Sequence, residues 1–114
     1  MVLDLPGAKG GDDLGPTALE LAVMALSGCI STIFAIVAKN SKVTYHKFVC
    51  EVEADKPDDA PTIVSAKAKV YVESADGYDK VNRVLSKTML ACPVGQLYEK
   101  AGIAIRTELE VRDI

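Results

Sequence analysis

Apolar and polar residues are arranged along this chain with two different periods. From Leu21 to Ala38 no charged residue occurs, and the apolar side chains fall on every face of a helix at 100° per residue. That pattern predicts a helix surrounded by protein. Its start is marked by Pro16, suited to a first turn, and by Thr17 followed by Glu20 at capping-box spacing. Asn40 is a suitable stop. The period then changes to two. Phe48, Cys50, Val52 and Ala54 alternate with Val49, Glu51 and Glu53. After a proline-containing turn over Asp55–Pro61, Val64, Ala66, Ala68, Val70 and Val72 alternate with Ser65, Lys67, Lys69 and Tyr71. Both segments read as strands of a sheet with one wet face.

A second helix is predicted from Asp76–Gly77, with Tyr78, Val81, Leu85, Thr88 and Cys92 recurring at steps of three and four on one inward face. Pro93 disfavours helical backbone at Cys92 and opens a short helix to about Ala101, closed by Gly102. Ile103, Ile105, Thr107, Leu109 and Val111 alternate with polar or small residues in a closing strand. Residues 1–15, rich in Gly and Asp, read as loop. The elements imply one α+β domain over residues 1–114, with a long central helix and a second helix packed on one face of an antiparallel sheet. So few strands leave exposed edges, and one small sheet cannot cover an all-apolar helix. A homodimer answers both problems.

Composition narrows the function. With 49% hydrophobic and 25% charged residues the chain is expected to fold rather than stay disordered. A net charge of -3 and 5% aromatics provide neither a basic footprint nor a stacking platform for nucleic acid. The uncharged run reaches the lower limit for a membrane span. Ser27, Gly28, Cys29, Ser31 and Thr32 place a polar patch at its middle, however, and the strands need an apolar cover, so a core helix and no membrane partner is the expectation. No secretory leader pattern is visible, which points to the cytoplasm.

The three cysteines are an odd number in a chain that does not need disulfides to fold, and in a reducing compartment cysteine pairs are chemical rather than structural. Their spacings, with His46 as the sole histidine, suit no zinc site, and no cofactor is implied. Cys29 shares a helix face with Ala22, Ala25, Leu26, Ile33 and Ile36. Apolar surroundings disfavour a thiolate, and the helix-terminus effect fades within a turn, so reactivity there calls for a nearby cation. Arg83 lies about 180° from Cys92 around its helix, and Arg106 and Arg112 fall on the polar side of their strand. Glu20 lies opposite Cys29 and roughly 13 Å along the axis, where it reads as a cap. Cys92, at the start of a helix, gains from free N–H groups that favour an anion. Cys50, alternating inward with Phe48 and Val52, reads as a small hydrophobe of the core.

Two segments resemble a known family. GPTALELAVMALSGC (15–29) is similar to the start of the central helix of OsmC/Ohr-like proteins, and ACPVGQL (91–97) resembles their second-cysteine segment. The intervening order of strands and helix matches as well. The resemblance implies a homodimer that reduces organic hydroperoxides, with Cys29 as attacking thiol, Cys92 as resolving thiol and an external dithiol as reductant. The chain departs from the family pattern twice. Residues 1–15 are all that stand upstream of the helix, and none is the arginine that family peroxidases use. The position ten before the attacking cysteine, a glutamate in the family, is Leu19, with Glu20 the nearest match and the candidate supporting residue. Two other functions fit the same residues: a non-enzymatic redox sensor or small-ligand binder, and sulfur transfer through Cys92.

Overall fold

The computed structural model describes all residues, 1–114. Helix α1 spans Ala18–Asn40, strands β1 and β2 span Lys47–Asp55 and Ser65–Glu73, helices α2 and α3 span Tyr78–Ala91 and Pro93–Lys100, and strand β3 spans Ile105–Arg112. The first fifteen residues are loop apart from one 3-10 turn at Gly7–Lys9. Asp4 organises that loop by accepting from the N–H groups of Leu5, Asp12 and Leu14, and those bonds hold its carboxyl below the usual range.

The capping box forms as expected. Thr17 Oγ1 accepts from the Glu20 N–H at 3.0 Å, and Glu20 Oε1 accepts from the Thr17 N–H at 2.9 Å. At the other end Asn40 is still helical, and the left-handed residue that turns the chain is Lys42 (φ 58).

Within one chain, α1 is not buried all round. Only Leu26, Ile30, Phe34 and Ala38, at steps of four, are fully enclosed, whereas Met24 and Ile36 are 55% and 56% exposed. The reason is geometric. A helix with side chains is about 10 Å wide, and β1 on one flank with α2 and α3 beside it reaches only one stripe. By length and composition α1 is apolar enough to cross a membrane; here it is the helix that lies on the sheet.

The sheet order is β1-β2-β3. β1 and β2 are antiparallel, with Cys50 opposite Val70, but β2 and β3 run parallel, with Val70 opposite Leu109. The sheet is therefore mixed rather than antiparallel throughout. A hairpin turn forces antiparallel pairing, whereas the α2–α3 crossover between β2 and β3 is long enough to return the chain in the same direction.

Alternation is strict in the central strand: Ala66, Ala68, Val70 and Val72 are buried. The opposite face is wet, and there Lys67 pairs with Glu108 at 3.0 Å. On α2, Val81, Val84, Leu85 and Thr88 point inward. Tyr78, expected on that face, is 52% exposed, because the helix begins at this residue, beyond the rim of the core. Two core clusters result. One contains Leu26, Ile30, Ala66, Ala68, Cys92 and Tyr98, the other Phe34, Val70, Val72, Val81 and Leu85, and Phe48, Cys50 and Met89 pack against both.

Candidate functional site

The break between α2 and α3 is made by one residue. Pro93 keeps Cys92 in extended backbone (φ -73, ψ 111). The Cys92 N–H donates to Thr88 O at 2.8 Å and closes α2, while its carbonyl accepts from the Gln96 N–H at 2.9 Å and opens α3. Its sulfur accepts from the Gly95 N–H at 3.3 Å, so the thiol itself is the N-cap of α3. Cys92 is fully buried. Tyr98, one turn and a half further along α3, donates its hydroxyl to the carbonyl of Ala22 at 2.9 Å and ties α3 to α1.

Cys29, half-buried on α1, packs against the cluster that contains Cys92. The polar patch around it is satisfied within its own helix: Ser31 Oγ donates to Ser27 O, and Thr32 Oγ1 donates to the carbonyls of Gly28 and Cys29. Cys29 is near enough to act on the Cys92 thiol and favours its neutral form.

Cys92 is not the ready anion its helix position suggests. Burial, followed by the neighbouring Cys29, pushes its thiol up to about 11, against the opposing pull of the Gly95 and Val94 N–H groups. At pH 7 roughly one molecule in ten thousand carries a Cys92 thiolate. The helix N-terminus acts in the expected direction, but removal from water outweighs it.

Cys50 is half-buried on the helix-facing side of β1. Its thiol is also pushed up to about 11, by burial first and then by the charge of Cys92. The inward direction of Cys50 follows from the strand pattern. Its place in the cluster with Cys92 has no signal in the sequence, because it depends on how the helices pack on the sheet.

The remaining expected residues lie elsewhere. The exposed Glu20 carboxylate is engaged in the cap of α1. Arg83 lines an open cavity with Lys42, Lys80 and Lys87 at the C-terminal end of α1. No lysine or arginine occurs between Ala18 and Ala38, so α1 brings no cation of its own to Cys29. A surface cavity of about 610 Å³, lined by Met89, Leu90, Gly95, Glu99, Ile103 and Ile105 among others, contains no cysteine. No group of three or more His, Cys, Asp or Glu side chains is disposed to hold a metal ion.

No curated protein matches the sequence. Solved structures match the fold. An OsmC-like protein from Mycoplasma pneumoniae superposes with a TM-score of 0.79 at 12% identity, over 85% of this chain and 72% of that one. An organic hydroperoxide resistance protein OsmC from Legionella pneumophila superposes with a TM-score of 0.75 at 14% identity, over 96% and 80% of the respective chains. The organic hydroperoxide resistance protein OhrB of Bacillus subtilis follows with a TM-score of 0.61 at 16% identity, over 93% and 78%. At these identities the likeness is one of fold. The family model for OsmC-like proteins matches residues 10–108, most of the chain and all three cysteines. The chain belongs to the OsmC-like protein family.

Proposed function

We propose that this chain reduces organic hydroperoxides by a two-thiol cycle, with Cys29 as the attacking and Cys92 as the resolving sulfur. The observation that carries the reading is that α1 and the α2–α3 junction bring Cys29 and Cys92 into one core cluster, near enough for Cys29 to act on the Cys92 thiol. Burial supports this division of roles. Cys92 is fully enclosed and held protonated, so the first encounter with a peroxide falls to the half-exposed Cys29. The Cys29 thiolate takes the outer oxygen of the peroxide, the O–O bond breaks, and an alcohol leaves after protonation. Cys92 then condenses with the sulfenic acid, releasing water and forming a disulfide. An external dithiol resets the pair by exchange.

The same reading includes a homodimer acting in the cytoplasm, with neither nucleic acid nor membrane as partner. Support for the dimer comes from the exposed flank of α1, where Ala22, Ala25 and Ile36 border Cys29; a second copy set there would cover the apolar surface and shape the entrance to the thiol. Sulfur transfer through Cys92 is disfavoured, because a sulfur with no exposed surface cannot meet a partner's thiol. A redox sensor uses the same first steps without turnover.

The test is thiol mapping by mass spectrometry seconds after one equivalent of cumene hydroperoxide. The expected early product is a Cys29–Cys92 disulfide, with Cys50 still alkylatable, and loss of peroxide consumption in a Cys29→Ser variant. Unchanged thiols in the wild type, or undiminished consumption in the variant, would remove the peroxidase reading. Disulfide formation without turnover in the presence of dithiols would leave the sensor.

A further inference from the structure

We propose that the basic cavity between the C-terminal turn of α1 and helix α2 is a binding site for a small, polar anion carrying two or more phosphate groups. The proposal is independent of the thiol chemistry. Arg83 stands about 13 Å before Cys92 along the chain of α2, and no cysteine lines the cavity.

The charge of the cavity is unlike that of the whole chain. The protein has 16 acidic and 13 basic residues, yet Lys42, Lys80, Arg83 and Lys87 line this space of about 430 Å³ and no carboxylate does. Lys80, Arg83 and Lys87 follow at steps of three and four, so at 100° per residue they form one stripe along α2. Lys42 borders the same space from the turn after α1. The chain's two ion pairs, Lys67–Glu108 and Glu73–Arg112, both lie on the sheet, so none of these four cations has an acidic partner. Of the neighbouring acids, Asp76 is held by the Thr44 N–H at 2.9 Å. Asp79, one turn before Arg83, is outside the lining. Like charges at these spacings destabilise a helix, and a bound anion turns that repulsion into attraction.

The turn that supplies Lys42 is a second observation. The Lys42 N–H donates to Lys39 O at 3.2 Å and the Val43 N–H to Ala38 O at 2.9 Å. These paired bonds close α1 with residue 42 in left-handed backbone (φ 58), a position where glycine is usual. A lysine stands there instead, so a charge occupies a place that backbone sterics favour for a residue without a side chain. The same closure, with Ser41 N–H donating to Val37 O, takes up helix-end carbonyls whose partial negative charge would oppose an anion.

Size and lining select the ligand. The volume is within the range of small-molecule sites. The only apolar residues of the lining are Val43 and Val84, both buried, and no aromatic side chain is present on which a base could stack. Arg83 provides a planar fork for phosphate oxygens, and the lysines act as point charges. Four cations around one space suit a diphosphate, a triphosphate or a bisphosphorylated sugar.

The experiment titrates the reduced protein with sodium pyrophosphate at low ionic strength, followed by calorimetry and by backbone amide shifts in NMR. The expected result is saturable binding with a dissociation constant on the order of 0.1–1 mM, weakened by added NaCl. Amide shifts should centre on residues 40–43 and 80–87. Orthophosphate should bind more weakly than pyrophosphate, and adenosine triphosphate no more tightly than tripolyphosphate. Arg83→Gln should weaken pyrophosphate binding roughly threefold or more. Lys42→Gly should weaken it similarly without lowering the denaturation midpoint, because glycine suits the left-handed turn. Lys100→Gln, on α3, should bind as the wild type does. Absence of saturable binding, shifts spread over lysines outside the cavity, or full affinity in both Arg83→Gln and Lys42→Gly overturns the site. Equal affinity for orthophosphate and pyrophosphate, or a marked preference for adenosine triphosphate over tripolyphosphate, overturns the ligand class.

Discussion

Tyr98 and Ala22, seventy-six residues apart, are joined by a hydrogen bond of 2.9 Å from the tyrosine hydroxyl to the helical carbonyl. Ala22 lies two turns before Cys29 on α1, and Tyr98 lies on the helix that Cys92 caps. One bond therefore fixes the distance between the two elements that carry the thiols. Tyr98→Phe keeps the ring in the core and removes only the donor. The expected cost is about 1 kcal/mol of stability, read from urea denaturation, with slower Cys29–Cys92 disulfide formation after peroxide. An unchanged disulfide rate would mean that packing alone sets the pair.

Phe34 anchors the other end of α1. It is completely buried and meets Tyr45 edge-on at 5.3 Å and Phe48 at 4.6 Å between ring centroids. Truncation to alanine should cost about 3–5 kcal/mol, measured by chemical denaturation. A loss below about 1 kcal/mol would show that the neighbouring rings collapse into the space.

Raised thiol values make stability depend on alkaline pH. Folded Cys92 titrates at about 11, above the ordinary value of 9.0, so the folded state holds its proton more tightly than the unfolded one. The resulting contribution is fully present below pH 9 and is lost as pH rises through 11. For the enclosed Cys92 the loss is on the order of 2 kcal/mol. Denaturation midpoints taken between pH 8 and pH 11 should fall for the wild type and fall less for Cys92→Ala. Parallel curves for the two proteins would contradict the assignment.

The proposed dimer is expected to use the exposed flank of α1. Ile36→Glu places a charge on a side chain that is 56% exposed in the single chain, so folding should survive, as circular dichroism would report. Light scattering should then find a monomer at micromolar concentrations where the wild type is a dimer. A wild type that is itself monomeric there would end the proposal.

Much of the architecture is legible in the residues. The capping box at Thr17 and Glu20, the period-two alternation from Phe48 to Ala54 and from Val64 to Val72, and the break at Pro93 are local signals. Each depends on backbone sterics or on the side-chain direction of one element, so position along the chain suffices. The two cysteine-bearing segments, through their likeness to a family, make Cys29 and Cys92 the candidate residues.

Tertiary structure decided what depends on neighbours in space. The direction of β3 is not encoded in its alternation, because a strand has the same period in parallel and antiparallel sheets. The apolar surface of α1 shows that the helix must be covered, yet only packing shows that this chain covers a single stripe. The state of Cys92 was decided the same way. Sequence placed it at a helix start, where N–H groups favour a thiolate, but complete burial and the neighbouring Cys29 prevail and keep its proton on. Solvent exclusion is a property of everything packed around a residue, and no local pattern contains it. The place of Cys50 in the same cluster as Cys92 has the same origin: it exists only once the helices have packed on the sheet.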